Sequence, residues 1–508
     1  MKNILILHTD QLRYDCLGCN GNPNAVTPNI DKLAEEGFNF HRHMTSNPVC
    51  MPSRACLLTG LYPSGNGVTS NGINLWTRDN GCEDKGSAFC KNLFGVDVLN
   101  KVPTIAHMLK EEGYQTSLFG KLHLQSSLAD PSYNMYESRV FWEKEEAIEC
   151  TQEHYGFEYC RMALGHGEAP TSYNAAHYGR WMHKNHPEII EALKQDEATR
   201  YGEEYKYKRG DIYPSIIPSK LHNSNWLANE FISYITNEIE ADKPFFTFLG
   251  FPDPHHSFTP PKDILDEYLA IKTPVLPEFG ERSKIVGETP VVTYSLDYIT
   301  AEQGDIETAY IYTQALMYQV DKAVGKIVDE LKRKGIYDDT IIVFTSDHGD
   351  LLGDYGCLTK MDIPLEGLVH IPFMVKPAKG FDKDVDTNIP MSNADVVPTL
   401  LHMIGVEPSK LIQGVDIFDE ESKNNTPMTT CYSIMGKNRN ITLYDLNYRY
   451  TYYIDDKVEE LYSVTDKFQY DNLALKAEYR EICDNMQLAL FKKHIESEIG
   501  VFNHHGLW

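Results

Sequence analysis

Long apolar runs are missing from this 508-residue chain. Nowhere do 18 apolar residues follow one another, which excludes a hydrophobic transmembrane helix. Positive charge is scarce too. With 47 basic against 73 acidic residues and a net charge of −26, the surface repels nucleic acid and anionic membranes. Long polyanions are disfavoured except through a locally basic pocket. Eleven cysteines, an odd number without a regular framework, argue against a disulfide scaffold and for a reducing compartment. Cys16 and Cys19 form a C-x-x-C pair, but no second pair stands near enough to complete a zinc site. Internal repeats and low-complexity tracts are also lacking. The opening MKNILILHTDQ carries one Lys, a short apolar run and no small-residue cleavage site, too little for a secretory leader. With residue 1 as the natural start, a cytoplasmic location is expected.

What is present is an alternation of strand and helix signals over the first four hundred residues. Residues 3–8 read as a buried strand. In TPNIDKLAEEGFNF, Thr27 is placed to cap a helix, Pro28 suits its first position and Gly37 ends it. A helix from about Thr104 to Gly113 leads into a strand ending at Gly120. A helix near 223–239 precedes PFFTFLGF, a long helix near 309–334 precedes TIIVFTSDHGD, and ADVVPTLLHMIG forms one more. After about residue 410, short stretches rich in aromatic and β-branched residues (TTCYSI, ITLYDLNYRYTYYI, EELYSV) suit antiparallel strands, with a closing helix near 473–497. The expected fold is α/β. A large mixed, mostly parallel sheet is sandwiched by helices (1–408), and a smaller C-terminal α+β domain (409–508) adds a short antiparallel sheet and a helix. Residues 125–220, with little periodicity, read as an insertion that shapes a pocket.

Ligands of open parallel sheets bind beyond the carboxyl ends of the strands. Four segments place polar residues there: Asp10 and Gln11; Lys121 and His123; His255 and His256; and Asp347, His348 and Asp350. Oxygen donors with a single imidazole suit a hard cation such as calcium or magnesium better than zinc. Lys121, Arg54 and Lys360 add fixed positive charge, and His123 and His255 add proton carriers near neutral pH. A divalent cation ringed by such groups is suited to a tetrahedral oxyanion and to displacement at sulfur or phosphorus. In CMPSRACLLTG, residues 50–60, Cys50 stands at a helix entrance beside Arg54, where a thiolate is favoured. A soft thiolate is nonetheless an odd neighbour for a hard cation.

CMPSRACLLTG resembles the C-x-P-S-R-x-x-L-L-T-G signature of the type I sulfatases, within the alkaline-phosphatase-like superfamily. NILILHTDQLRYDCLG, TPNIDKLAEEGFNFHRH, FGKLHL, DPHHSFTPP, TSDHGDLLGDYGCLTK and ELYSVTDKFQYDNLA are similar to further family segments, in the family order from residue 3 to about 475. The resemblance implies that Cys50, and not Cys56, is converted to formylglycine by a formylglycine-generating or anaerobic sulfatase-maturating enzyme. A hydrated aldehyde, an oxygen nucleophile, then resolves the mismatch with the metal. It further implies that Asp10, Asp347 and His348, with Gln11 as the less regular fourth ligand, hold calcium, with magnesium or manganese as alternatives. Arg54 and Lys121 would position the nucleophile. Lys121, His255 and Lys360 would bind sulfate, with His255 or Lys360 protonating the leaving oxygen, and His123 would take the proton that expels sulfate.

The sequence departs from the family pattern at Gln11, where many members carry a second aspartate, and at Ser257, where proline is usual. The implied reaction is hydrolysis of a sulfate ester on a small organic or carbohydrate substrate. The alternative is phosphonate monoester or phosphodiester hydrolysis with the same machinery, and Ser53 leans toward sulfatase. A binding protein that keeps the oxyanion pocket is the remaining reading if no aldehyde forms. Asn71, Asn74, Trp76, Arg78 and His256 are candidate substrate contacts. The closing VFNHHGLW, apolar and aromatic, suits docking on its own domain or on a neighbouring subunit of an oligomer.

Overall fold

In a computed structural model, which describes residues 2–75, 77, 102–130, 135–143, 153–202, 211–285, 292, 295–297, 299–432 and 439–499, the run NILILHTD forms strand β1 (Asn3–Asp10). Its side chains alternate between two cores. Ile4 and Ile6 join Phe246, Phe248, Ile341 and Val343 on one face. Leu5 and Leu7 join Leu249, Ile342, Phe344 and Phe231 on the other. A strand buried on both faces needs apolar residues at both parities, which is why this one lacks alternation.

Among the described residues twelve more strands follow: β2 (Phe38–Phe40), β3 (His43–Met44), β4 (Gln115–Gly120), β5 (Tyr159–Met162), β6 (Phe245–Pro254), β7 (Thr340–Ser346), β8 (Phe373–Lys376), β9 (Met391–Ser392), β10 (Met428–Tyr432), β11 (Arg439–Tyr444), β12 (Tyr448–Tyr453) and β13 (Val458–Ser463). The large sheet has the order β2-β8-β7-β1-β6-β4-β5. Its middle, β7-β1-β6-β4-β5, is parallel throughout, and β8 and β2 add antiparallel pairings at one edge. A second sheet, β10-β11-β12-β13, is antiparallel, and β3 and β9 form a small parallel pair. This is the mixed, mostly parallel sheet with helices that was expected, together with a C-terminal antiparallel sheet.

Helix α1 (Pro28–Glu35) does not use Thr27 as its side-chain cap. Thr27 Oγ1 donates to Asp31 instead. The backbone N–H groups of Asn29 and Ile30 both donate to Asp321 Oδ1, at 2.9 Å each. A carboxylate from the long helix Gln303–Arg333 therefore caps α1 from across the core. That long helix starts six residues before the expected position because its first turn is polar and shows no apolar period. The run ITLYDLNYRYTYYI divides into β11 and β12 where Asp445 Oδ1 accepts from the N–H groups of Asn447 and Tyr448, at 2.7 Å each. The closing helix spans Arg480–Ile499, later than expected. Asn472 accepts from Leu461 N and Ala474 N, at 3.0 and 3.1 Å, and so holds residues 473–475 in a short turn against β13. Within 125–220, residues 159–162 are not pocket wall but the sheet's edge strand β5. Among the described residues no helix is long and apolar enough to cross a membrane.

Candidate active site

The carboxyl ends of β7, β1, β6 and β4 lie side by side and carry the polar residues expected there. Two local features draw them together. Register along β1 and β6 runs evenly to His8 opposite Gly250, then resumes with Asp10 opposite Pro254, so β6 bulges and brings His255 toward Asp10. Between β4 and β6, a Cβ on Gly120 would lie 2.0 Å from Gly250 O. Only glycine admits this approach, which lets Lys121 N donate to Gly250 O at 2.9 Å.

Helix α2 (Cys50–Thr59), buried along its whole length, points its first residue at this edge. Arg54, one turn in, is fully buried and divides the atoms of two carboxylates. Its Nε donates to Asp347 Oδ2 at 2.8 Å, its Nη2 to Asp10 Oδ2 at 3.0 Å, and its Nη1 to Lys121 O at 2.8 Å. The Oδ1 atoms are left facing Cys50 and His348. Asp10 Oδ1 lies 3.9 Å from Cys50 Sγ and 3.8 Å from His348 Nε2, which is 3.1 Å from Cys50 Sγ and 3.6 Å from Asp347 Oδ1. One ligand atom from each of Asp10, Cys50, Asp347 and His348 falls within 4.8 Å of all the others. His348 Nδ1 stands 2.9 Å from Gly349 O, so donation to that carbonyl leaves the Nε2 lone pair toward the cluster. Two buried carboxylates and an imidazole of fixed orientation, grouped with the side chain of residue 50, fit a divalent cation.

Electrostatics agree with the geometry. Burial opposes ionisation of Asp10, but Lys121 and Arg54 outweigh it and hold the carboxyl well below its usual range. Burial and Asp10 push Asp347 up, yet His348 and Arg54 bring it down to about 2. At Cys50 burial also opposes the charged form, and Lys360, with His348 and Lys121, lowers the thiol well below its ordinary value. The source of that lowering differs from the expectation. Arg54 is committed to the carboxylates, and Lys360 is the chief cation acting on Cys50.

A second set of groups surrounds the cluster. Lys121 Nζ donates to Asp10 Oδ2 at 2.5 Å and approaches His166 Nε2 at 2.9 Å. Lys360 Nζ reaches His255 Nε2 at 2.7 Å and Gln11 Oε1 at 2.8 Å. His255 Nδ1 is held against His256 O, so its Nε2 is the end that meets Lys360. His166, His255 and His256 stack in sequence, with ring centroids 3.5 and 4.1 Å apart. Burial, then the neighbouring imidazoles and Lys360, hold His255 well below the usual histidine range.

Beyond this geometry stand the relationships of the whole chain. The sulfatase family model matches residues 2–406. The chain belongs to the sulfatase family. An arylsulfatase of Clostridium perfringens is 26% identical over 510 residues, covering 97% of this chain and 94% of that protein. An N-acetylglucosamine-6-O-sulfatase of Bacteroides thetaiotaomicron is 23% identical over 463 residues, covering 84% of this chain and 72% of that one. Among solved structures, the phosphonate monoester hydrolase of Agrobacterium radiobacter shares the fold with a TM-score of 0.70 at 20% identity, over 98% of this chain and 96% of that one. The protein is accordingly a sulfuric ester hydrolase.

In this sulfatase the expected residues Asp10, Cys50, Arg54, Lys121, His255, Asp347, His348 and Lys360 form one connected network. His123 lies two residues beyond Lys121, its Nδ1 buried without a hydrogen-bond partner among the described residues. Gln11 is engaged away from the four-ligand cluster: Nε2 contacts Asp350 Oδ2 and His256 Nδ1, and Oε1 accepts from Lys360. Asn71 Oδ1 accepts from Met51 N at 3.0 Å and so caps the start of α2. Asn74 Oδ1 accepts from Ser126 N at 2.8 Å, tying two loops together. Trp76, Arg78 and the closing VFNHHGLW lie outside the described residues. His166 was missed. It sits within 125–220, and its only signal in the sequence is a histidine between two glycines, Gly165 and Gly167. Cys56 is a fully buried thiol whose pKa burial pushes up to about 12, in keeping with a packing role.

Proposed function

We propose that this sulfatase removes sulfate from a small sulfated sugar, with a formylglycine made from Cys50 as nucleophile and calcium at Asp10, Asp347, His348 and residue 50. One observation carries the reading. Cys50 stands where the cation-binding face of Asp10, Asp347 and His348 meets a cluster of ammonium and imidazole groups. When bound, the cation would supply positive charge against the sulfuryl oxygens while the leaving oxygen is displaced from sulfur.

The protein's own residues divide the remaining work. Arg54 holds the two carboxylates so that each offers one oxygen to the cation. Lys121 and Lys360 present N–H donors to the sulfate, where buried charge-assisted bonds are strongest. Lys360 and His255 Nε2 share a proton at the place where the leaving oxygen departs. His123, with an unpartnered ring nitrogen, takes the proton whose removal expels sulfate. Gln11 orients Lys360 through its amide oxygen, and a turn of the same side chain would add it to the metal ligands. A carbohydrate substrate is supported by the Bacteroides relative named for a sugar sulfate. Eight described cysteines, all free thiols, support residence in a reducing compartment.

Gln11 beside Asp10 is a pair that the resemblance gives to both choline-sulfatase-like and phosphonate-monoester-hydrolase-like enzymes, and phosphonate monoester or phosphodiester hydrolysis is the second reading. The test joins mass spectrometry to turnover. In protein from its own host, the tryptic peptide 43–54 should be lighter by the exchange of one sulfur and two hydrogens for one oxygen, and it should react with a hydrazide. That protein should release sulfate from sulfated monosaccharides faster than it cleaves phosphodiesters. An unmodified thiol throughout would sink the formylglycine reading. Faster phosphodiester cleavage would favour the alternative.

A further inference from the structure

We propose that His166 is a positioning residue of this site, which sets Lys121 for binding the sulfuryl group and His255 for protonating the leaving oxygen. The proposal rests on the sulfate-ester reading above.

His166 follows β5 at the carboxyl edge of the sheet and touches both partners in different ways. Its Nε2 is 2.9 Å from Lys121 Nζ, whose other side-chain partner is Asp10 Oδ2. An ammonium has three N–H donors. With two directed at Asp10 and His166, the third has a defined direction and is available to a sulfate oxygen. The ring of His166 lies almost parallel to that of His255, 12° between planes and 3.5 Å between centroids. That stack blocks rotation of the His255 ring from one side while His256 covers the other. The Nε2 of His255 is thereby held on Lys360.

The chain is shaped to seat this histidine. Gly165 and Gly167 both have positive φ, 77° and 49°. A Cβ on Gly165 would meet Ser172 N at 2.8 Å, and one on Gly167 would meet Thr259 Oγ1 at 2.5 Å and Ser257 O at 2.7 Å. The turn presses directly on the loop that continues from His255 and His256. With 23% of its side chain exposed, His166 has no need of a polar partner for burial alone, yet it is lodged between two working groups.

The two contacts can be separated. His166→Phe keeps a flat ring for the stack and lacks the acceptor for Lys121. His166→Gln keeps a polar chain able to accept from Lys121 and lacks the ring. Steady-state kinetics are measured on aryl sulfates whose leaving phenols span a range of acidity, with aldehyde content and melting temperature matched to wild type. His166→Phe should raise KM about 10–100-fold on every substrate, the scale typical of lost supporting contacts, with the leaving-group dependence unchanged. His166→Gln should leave KM near wild type and steepen the dependence of kcat/KM on phenol acidity, because poor leaving groups need the proton most. Wild-type behaviour in both variants, or equal losses on all substrates in both, would overturn the proposal. Failure of the sulfatase reading is distinct: wild-type enzyme carrying the aldehyde would turn over neither the aryl sulfates nor sulfated monosaccharides, which removes both.

Discussion

Replacing Arg54 by methionine tests whether the two carboxylates are held ready for a cation. Arg54 is fully buried and bonded to Asp347 Oδ2 and Asp10 Oδ2 at 2.8 and 3.0 Å. Methionine fills most of the volume but leaves two buried carboxylates with one fewer positive charge between them. Breaking one partner from a buried ionic group costs about 3–5 kcal/mol. Unfolding entropy near 2.1 cal/mol/K per residue, over 508 residues, corresponds to about 1 kcal/mol per degree if the chain melts as one unit. In EDTA the variant should therefore melt about 3–5 °C below wild type. Added calcium supplies the missing charge, so it should raise the variant's melting temperature more than wild type's and close part of the gap. Calorimetry in EDTA and in calcium measures both. A variant that melts with wild type in EDTA would refute the buried-charge account. A calcium response equal in the two proteins would refute the placement of the cation against these carboxylates.

Three further outcomes follow from the same geometry. Cys50→Ser should be sulfated once and then stall, because a simple ester lacks the second hydroxyl needed for release; intact-mass analysis after incubation with substrate should find one added sulfuryl group per chain, and catalytic turnover would contradict this. Cys56→Ser should keep its activity and lose at most about 1 kcal/mol of stability, because Asn66 Nδ2, 3.5 Å from Cys56 Sγ, can donate to the buried hydroxyl; loss of turnover with normal aldehyde content at Cys50 would reverse the assignment of the two cysteines. Asp321→Asn keeps an oxygen for the two N–H groups of α1 and removes a carboxyl that burial raises to about 6. An acid with its folded pKa above its unfolded one opposes folding once ionised, a penalty absent below pH 4, growing from there and complete above pH 6. The asparagine variant should therefore gain melting temperature over wild type at pH 8 and little at pH 4.

Much of this site was legible because its residues are local to strand ends. A buried strand, its parity and the polar residue that ends it can be read from NILILHTD or TIIVFTSDHGD directly, and the parallel order then brings those ends together. The resemblance of CMPSRACLLTG added Cys50 and Arg54, which no periodicity would have joined to Asp10. What stayed hidden depended on distance in the chain. The cap of α1 comes from Asp321, nearly three hundred residues away, so Thr27 was credited with work it does not do. The edge strand β5 has only four residues and draws its stability from pairing with β4, leaving a faint local pattern. His166 gains its significance only from what the sheet sets beside it.

The depth of Cys50 has a consequence for how the enzyme is made. The residue is 1% exposed, and the whole of the helix it begins is buried. A second enzyme needs several residues on either side of its target laid out in its own cleft, and here those residues form the middle of the molecule. On the formylglycine reading proposed above, conversion of the thiol would therefore belong to the interval between synthesis of this segment and closure of the sheet around it. On that reading, a chain that folds before it meets a modifying enzyme would be sealed in the thiol form, so the ratio of those two rates would set the active fraction.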